Sequence, residues 1–354
     1  MSGRAPSSDL AARFSGNPLL APRDLMPSRE DFEVLSVINP GVFRHAGRTW
    51  LLARVAERPA PAPGRVRIPV ARDGEVRVLD LRADDPGLDV SDPREPKYKG
   101  EGLLSSVSHL RLFSSADGKT FTAADNPFLR GEGAYETYGI EDPRVTAFAD
   151  GRFILTYTAV SPCGYGIGAR VTRDWARFGH LGLILPIPNK DCTLFPERID
   201  GAYAALNRPS GVIVGGHDIW LSFSPDLVHW GRHRCVARCR PGAWDGARIG
   251  VNGPPVRLPQ GWLVLYHGAD ASKRYCLGAL LLDPEDPRQV LARTREPVMQ
   301  PVAPYECDGF FGRVVFSNGH VVDGDTLTLY YGASDTVTCG AGLRIRDILS
   351  ALGV

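Results

Sequence analysis

The chain has 354 residues and a formal net charge of +1, from 41 Lys and Arg against 40 Asp and Glu, which removes the usual electrostatic case for nucleic acid or an anionic membrane surface. Its 43% hydrophobic and 23% charged residues suit one large or two ordinary globular domains with a real core, and no run approaches the ~18 apolar residues of a membrane helix. Gly 39 and Pro 29 make up about a fifth of the chain, below the roughly 25–30% of low-complexity sequence, so many short strands and turns are expected and long helices are not.

Taken in chain order, Met1 to Arg13 hold no apolar segment of the kind found in secretory signals. One hairpin unit then recurs. A Pro- or Gly-containing turn leads into a β-rich strand, a Gly-containing hairpin follows, and a second apolar strand ends abruptly in polar residues. The copies run Asn39-Pro40-Gly41-Val42-Phe43 to Trp50–Arg54, Asp142-Pro143-Arg144-Val145 to Phe153–Thr158, Phe195-Pro196-Glu197-Arg198-Ile199 to Tyr203–Arg208, Gly253-Pro254-Pro255-Val256 to Trp262–His267, and Val314-Val315-Phe316 to Leu327–Gly332. A third strand ending at an Asp turn follows most copies, as at Ile219–Ser224 before Asp226. The spacing of the later copies, roughly 50–65 residues, is that of long blade repeats. The first interval is about twice as long, and the Pro-rich and Asp/Pro-rich stretch 58–100 reads as a loop insertion. Repeated antiparallel sheets hide their faces economically by radial stacking. The expected fold is therefore an all-β, five-bladed β-propeller forming a single domain over residues 1–354. Leu343, Ile345, Ile348, Leu349 and Leu352 have a helical period, so the tail predicts a short C-terminal helix over 344–352 suited to capping the domain or to packing in a homo-oligomer.

Seven scattered cysteines are an odd number; they read as reduced, mostly buried thiols of a cytoplasmic protein. His229, His233, Cys235 and Cys239 have zinc-site residue types. Positions four apart on a strand lie about 13 Å apart, too far for one tetrahedral ion, so no metal is expected. Gly164-x-Gly166-x-Gly168 is spaced too tightly for a dinucleotide fingerprint. What does stand out is the polar residues at matching points of the repeat: Asn39, Arg54, Asp142, Arg208, His267 and Asp335. A bare charge beside apolar β-formers must be paired or face a channel. Carboxylates accept from sugar hydroxyls and serve as general acids, while Arg and Lys clamp phosphate. Of the aromatics near these strand ends, Tyr138, Tyr157, Trp220, Tyr266, Tyr275 and Tyr331, some could stack on sugar faces, although most read as core.

Gly139-Ile140-Glu141-Asp142-Pro143-Arg144-Val145-Thr146 with Leu155–Ala159, Asn189-Lys190-Asp191, Arg208-Pro209, Trp244-Asp245 with Arg248-Ile249-Gly250, Tyr266-His267-Gly268, Tyr275 and Tyr330-Tyr331-Gly332-Ala333-Ser334-Asp335 together resemble glycoside hydrolase family 130, the mannoside phosphorylases, along nearly the whole chain. The resemblance implies a five-bladed propeller. It also implies an inverting phosphorolysis, in which inorganic phosphate attacks the anomeric carbon of a non-reducing β-mannosyl unit. The products are α-mannose 1-phosphate and a shortened acceptor. Asp142 falls on the family's general acid, whose proton passes through a mannose hydroxyl. Lys190, Arg208, Arg248, His267 and Tyr275 fall on its phosphate-binding positions, and Asn39, Arg54, Glu141 and Asp335 on the sugar site. The partners implied are a β-mannoside oligosaccharide and phosphate as co-substrate, with no other cofactor.

A phosphate nucleophile arrives ionised and needs no general base, whereas an inverting hydrolase needs a second carboxylate about 6.5–9.5 Å from the acid. The retained cations favour phosphorolysis. A β-mannosidase with Glu141 or Asp335 as base and a non-catalytic sugar-binding propeller are the alternatives. Asn207, Val251-Asn252-Gly253 and Phe310-Phe311-Gly312-Arg313 depart from the usual family pattern. The last of these brings two aromatics and an Arg close to the pocket, which leaves linkage (β-1,2 or β-1,4) and acceptor (glucose, N-acetylglucosamine or mannose) open.

Overall fold

A computed structural model describes residues 9–72, 75–211 and 214–354; most of the Met1–Arg13 stretch and two positions of the 58–100 insertion lie outside them. The chain is all-β, and among the described residues helix is confined to a 3-10 turn at Pro22–Asp24 and α-helices at Pro304–Cys307 and Ile345–Leu352. The last is the expected tail helix. Its Ile345, Ile348 and Leu352 pack into the core alongside Leu343, and Gly353 closes it in the left-handed conformation that glycine adopts without a Cβ clash. No helix of the described residues is long and apolar enough to cross a membrane.

Each hairpin expected from the sequence is present, extended to four antiparallel strands. The first group is Phe32–His45, Arg48–Pro59, Val107–Ser115 and Thr122–Leu129; the second is Gly139–Ala147, Phe153–Ser161, Gly164–Thr172 and Gly179–Leu185. A single parallel bridge between Gly139 and Ser108 joins these two groups into one eight-stranded sheet. The third group is Asn189–Leu194, Tyr203–Pro209, Ile219–Ser224 and Gly231–Ala237. The fourth runs Arg248–Val251, Gly261–Ala269, Tyr275–Leu282, Val290–Arg293, with Val256–Leu258 alongside. In the fifth, Val315–Asp323, Thr326–Ala333 and Val337–Arg344 take their fourth strand, Ala12–Arg13, from the other end of the chain.

Strand alternation explains the packing. On Gly261–Ala269, Trp262, Val264 and Tyr266 face the third group, while Leu263 and Leu265 face the fifth, as a period of two requires. Both faces are covered, so the strand reads as a continuous apolar run. The same holds for each junction: one apolar cluster lies between groups one and two, one between two and three, then three and four, and four and five. A further cluster joins group five back to group one through Val321 and Tyr330 against Val37, Leu51 and Val55. The first strands of the groups touch likewise, one to two, two to three, three to four, and five to one.

The 58–100 stretch departs from the expectation of loop. It leaves between two directly paired strands, Arg48–Pro59 and Val107–Ser115, as an insertion should, yet it carries its own hairpin, Arg65–Arg72 with Glu75–Arg82, and a small sheet of Leu88–Asp89, Lys97–Tyr98 and Glu101–Gly102. Ile68, Val70, Leu81 and Leu103 give it a core of its own. The alternation at Val66, Ile68 and Val70 was the strand signal, masked by the flanking prolines.

Candidate active site

The first strand of each of the first three groups breaks register at a matching point, between Ile38 and Gly41, between Glu141 and Arg144, and between Lys190 and Thr193. At each bulge an Asn or Asp sits in the left-handed region: Asn39 at φ 50°, Asp142 at φ 50° and Asp191 at φ 55°. Non-glycine residues occupy that region at a cost of order 1–3 kcal/mol, and Asn and Asp tolerate it best. A bulge at a barrel or sheet rim re-aims a side chain. Here it gathers the side chains of three different strand groups at one place.

That place is a cavity of about 450 Å³, within the range of small-molecule sites. Asn39, Arg54, Asp142, Lys190, Arg208, Arg248, His267, Tyr275 and Asp335 all line it, so the expected residues are brought together with one exception. Glu141 instead lines a smaller adjoining cavity of about 150 Å³, which shares Arg54, Lys190 and Asp335.

Asp142 is fixed through one oxygen. Its Oδ1 accepts from Asn39 Nδ2 at 2.9 Å and from Arg54 Nη1 at 3.2 Å. Arg54 also donates to Glu141 Oε1 at 2.8 Å and to Ser108 Oγ at 3.0 Å, so Glu141 serves to hold Arg54. Burial pushes the Asp142 carboxyl up, but Arg54, Lys190, Arg144 and the Asn39 amide outweigh it and hold it below the ordinary Asp value. Asp335 goes the other way: burial, assisted by the neighbouring Asp142 and Glu141 charges, raises it to about 6 against the pull of Arg54 and Arg94.

Sequence reasoning missed Asp191 as the organiser of the cationic side. Buried, it accepts from Arg144 Nη2 at 3.0 Å and lies 3.0 Å from Arg208 Nε and 3.3 Å from His267 Nε2. Arg208 and these neighbours hold it ionised against its burial. Arg144, also fully buried, donates to the Asp142, Val251 and Asn252 carbonyls and so ties the second group to the fourth. Burial outweighs the Asp191 charge at His267, whose imidazole is held neutral. The signal for Asp191 was its place in the repeat, since Lys190-Asp191 occupies the bulge of Ile38-Asn39 and Glu141-Asp142. Also unforeseen are Asp92, Arg94 and Glu95 from the insertion, with Lys273, all lining the cavity, while Phe311 lines it as its place in Phe310–Arg313 led one to expect.

Of the strand-end aromatics, Tyr275 lines the cavity. Tyr157, Tyr266 and Tyr331 are core residues whose hydroxyls donate to the buried carboxylates Glu136, Asp245 and Glu306. The zinc-like residues separate: His229 pairs with Asp226, His233 with Ser222, and Cys235 points to the Ala237 carbonyl. Among the described residues no group of three or more such side chains is placed to hold a metal ion.

The arrangement sets one anchored carboxyl beside a cluster of three cationic side chains in a polar cavity, the equipment for an acid and an anion acting on one substrate. A family model for β-1,4-mannooligosaccharide phosphorylase, glycoside hydrolase family 130, matches residues 97–353. A β-1,2-mannobiose phosphorylase of Listeria innocua is 43% identical over 97% of this chain and 98% of its own length. A β-1,4-mannooligosaccharide phosphorylase of Ruminococcus albus is 34% identical over 59% of this chain and 63% of its own. The solved complex of β-1,2-mannobiose phosphorylase from Listeria innocua with β-1,2-mannobiose superposes with a TM-score of 0.93 at 42% identity, covering 97% of this chain and 99% of that one. The chain therefore belongs to glycoside hydrolase family 130.

Proposed function

We propose that this protein is an inverting mannoside phosphorylase that transfers a non-reducing β-mannosyl unit to inorganic phosphate, giving α-mannose 1-phosphate and a shortened acceptor. The observation that carries the reading is the convergence of Lys190, Arg208 and Arg248 with Asp142 on one cavity. Phosphate brings its own charge, so the protein need only concentrate cations beside the anomeric carbon and deliver one proton. Lys190, Arg208, Arg248, His267 and Tyr275 receive the phosphate. Asn39, Arg54 and Asp335 hold the mannosyl unit, and Asp142 supplies the proton to the leaving oxygen by way of a sugar hydroxyl. Glu141 acts through Arg54. Inorganic phosphate is the sole co-substrate, and no resident cofactor takes part.

The linkage we infer is β-1,2, because the similarity to the β-1,2-mannobiose phosphorylase runs the length of both chains and that to the β-1,4 enzyme covers 59% of this one. The five groups are read as the blades of a propeller forming one domain. The support is the cyclic sequence of apolar clusters, in which the one between groups five and one is the counterpart of the other four. The cysteines are free thiols, which agrees with a reducing, cytoplasmic setting.

The test is the reverse reaction: α-mannose 1-phosphate with a panel of acceptor sugars, following phosphate release. Release with mannose, giving a β-1,2-linked product, is expected. No release with any acceptor, alongside phosphate-independent liberation of mannose from β-mannosides, would make the enzyme a hydrolase. In the forward direction Asp142→Asn should lower kcat by about 10²–10⁴-fold with the circular-dichroism spectrum unchanged; a normal rate would sink its assignment as the acid.

A further inference from the structure

Gly164-Tyr165-Gly166-Ile167-Gly168, which is no nucleotide motif, opens the third strand of the second group, Gly164–Thr172. Its glycines are points of close approach. A Cβ on Gly168 would collide with the Tyr157 ring. One on Gly166 would stand 2.8 Å from Leu183 Cδ1 and 3.2 Å from Ile187 Cγ1, and one on Gly164, at φ 113°, would stand 3.0 Å from Ile187 Cγ2. The segment 186–188, which leads out of the second group into the first strand of the third, therefore lies close along the start of this strand.

Strand alternation decides where the residue between the first two glycines points. Ile167 and Ala169 pack toward the third group with Cys192 and Leu194, so Tyr165, two residues earlier, takes the same face. Lys190 stands across that junction. It is the register partner of Arg208, and both side chains reach the main cavity, which Tyr165 also lines. The Lys190 ammonium lies 4.6 Å from the centre of the Tyr165 ring, within the ~6 Å at which a cation is drawn to an aromatic face. Among the described residues no carboxylate forms an ion pair with Lys190. The adjacent Asp191 is taken up by Arg144, Arg208 and His267, and Asp142 feels the Lys190 charge without pairing with it.

We propose that Tyr165 is a positioning residue for phosphate: its ring holds the Lys190 ammonium in the cavity and out of an ion pair with Asp142, so that the charge stays available to the anion. This inference rests on the phosphorylase reading above. A lysine on its flexible four-carbon stem would otherwise fold onto the nearest carboxylate. An aromatic face orients an ammonium without neutralising it, so the full attraction for a phosphate dianion is kept. Arg208 is held the opposite way, against the Asp191 carboxylate. The spaced glycines then have one explanation: they let the chain that carries Lys190 pass close enough to Tyr165 for the contact to form.

The experiment measures the Kd of inorganic phosphate by titration calorimetry, beside kcat and the KM values for phosphate and β-1,2-mannobiose. Tyr165→Phe keeps the ring and should bind phosphate within about twofold of the unaltered enzyme. Tyr165→Leu removes the aromatic face and should raise Kd and KM for phosphate about three- to tenfold, while KM for mannobiose changes by less than about twofold. Placing 4-cyanophenylalanine at position 165 nearly keeps the shape of tyrosine but withdraws π density, so this variant should weaken phosphate as leucine does. Equal phosphate affinity in the phenylalanine and cyanophenylalanine variants overturns the proposal whether or not the leucine variant folds. An equal rise of both KM values in Tyr165→Leu overturns it too, and so does a loss of phosphate affinity in Tyr165→Phe, which would assign the effect to the hydroxyl. An unaltered enzyme that neither binds phosphate nor forms mannose 1-phosphate overturns the phosphorylase reading itself.

Discussion

At the scale of single residues, the acid and the cations pose a problem that the substrate solves. The charges of Arg54, Lys190 and Arg144 keep the Asp142 carboxyl below its ordinary value, yet the general acid proposed for it must carry a proton. Under the proposed function, a phosphate dianion bound beside Lys190 would cancel much of the field of Lys190 and its neighbours, so the proton affinity of Asp142 should rise once phosphate is in place. Activity falls as pH climbs past the pKa of an acid, and kcat reports the bound complex while kcat/KM reports the free enzyme. The basic limb of kcat at saturating phosphate should therefore lie at higher pH than that of kcat/KM for phosphate. Coincident limbs would show that phosphate leaves the acid unperturbed. Asp335 offers a stability test of opposite sign. Its folded value, about 6, is raised above that of the unfolded chain, so its contribution is complete below pH ~3.9 and is lost as pH rises through 6. The stability cost of Asp335→Asn, measured by urea unfolding, should be smaller at pH 8 than at pH 5. A cost independent of pH would mean that Asp335 does not titrate in this range.

At the scale of elements, the strands place the chemistry through defects rather than through regularity. Asn39 orients Asp142 from a bulge in the first group, and the strand Thr326–Ala333 of the fifth comes up behind it. A Cβ on Gly332 would stand 2.1 Å from Asn39 Oδ1, closer than real side chains approach, so glycine is required there by close approach. Gly332→Ala should displace Asn39, free one of the two partners of Asp142 Oδ1, and lower kcat about tenfold or more with a modest loss of stability. A variant of normal kcat would disconnect Asn39 from the acid. The two-faced strands give a second expectation. Leu265, 2% exposed and packed toward the fifth group, should cost about 2–5 kcal/mol on truncation to Ala, read by chemical denaturation; a cost under 1 kcal/mol would contradict the close packing of this junction.

At the scale of the whole molecule, the two ends of the chain hold one sheet. Ala12 pairs with Gly342 and Arg13 with Ala341. Arg13 Nε donates to the buried Glu306 at 2.7 Å, and Asn17 exchanges hydrogen bonds with the backbone of Gly340. Leaving Glu306 without its cation strands a buried charge, at a cost of about 3–5 kcal/mol. Removing residues 1–20 should lower Tm well beyond the loss expected of a frayed terminus, and the active site should fail with the fold, since the fifth group carries Asp335. A truncated chain of unchanged Tm would show that the fifth sheet needs no closing strand.

The sequence by itself determined the class of structure and the list of chemical groups. Strand alternation and turn residues repeat along the chain, so the five hairpins were legible in it; Asp142, Arg208 and His267 stood out because polar side chains in apolar surroundings need a reason, whereas Lys190 and Arg248 came from the family resemblance. Local pattern could not show where the fourth strand of the last group comes from, because that pairing joins Ala12 to Gly342 across nearly the whole chain. Nor could it show that Asp191 balances Arg144 and Arg208 and lies against His267, or that Glu141 turns away from the main cavity to hold Arg54, since a one-residue bulge reverses the face a side chain takes. The insertion was misread for the same reason. Its prolines are local and visible, whereas the contacts that carry Arg94 onto Phe311 are long-range. Periodicity is a property of neighbours in sequence, whereas a site is made by neighbours in space, and only the packing of the sheets brings those neighbours together.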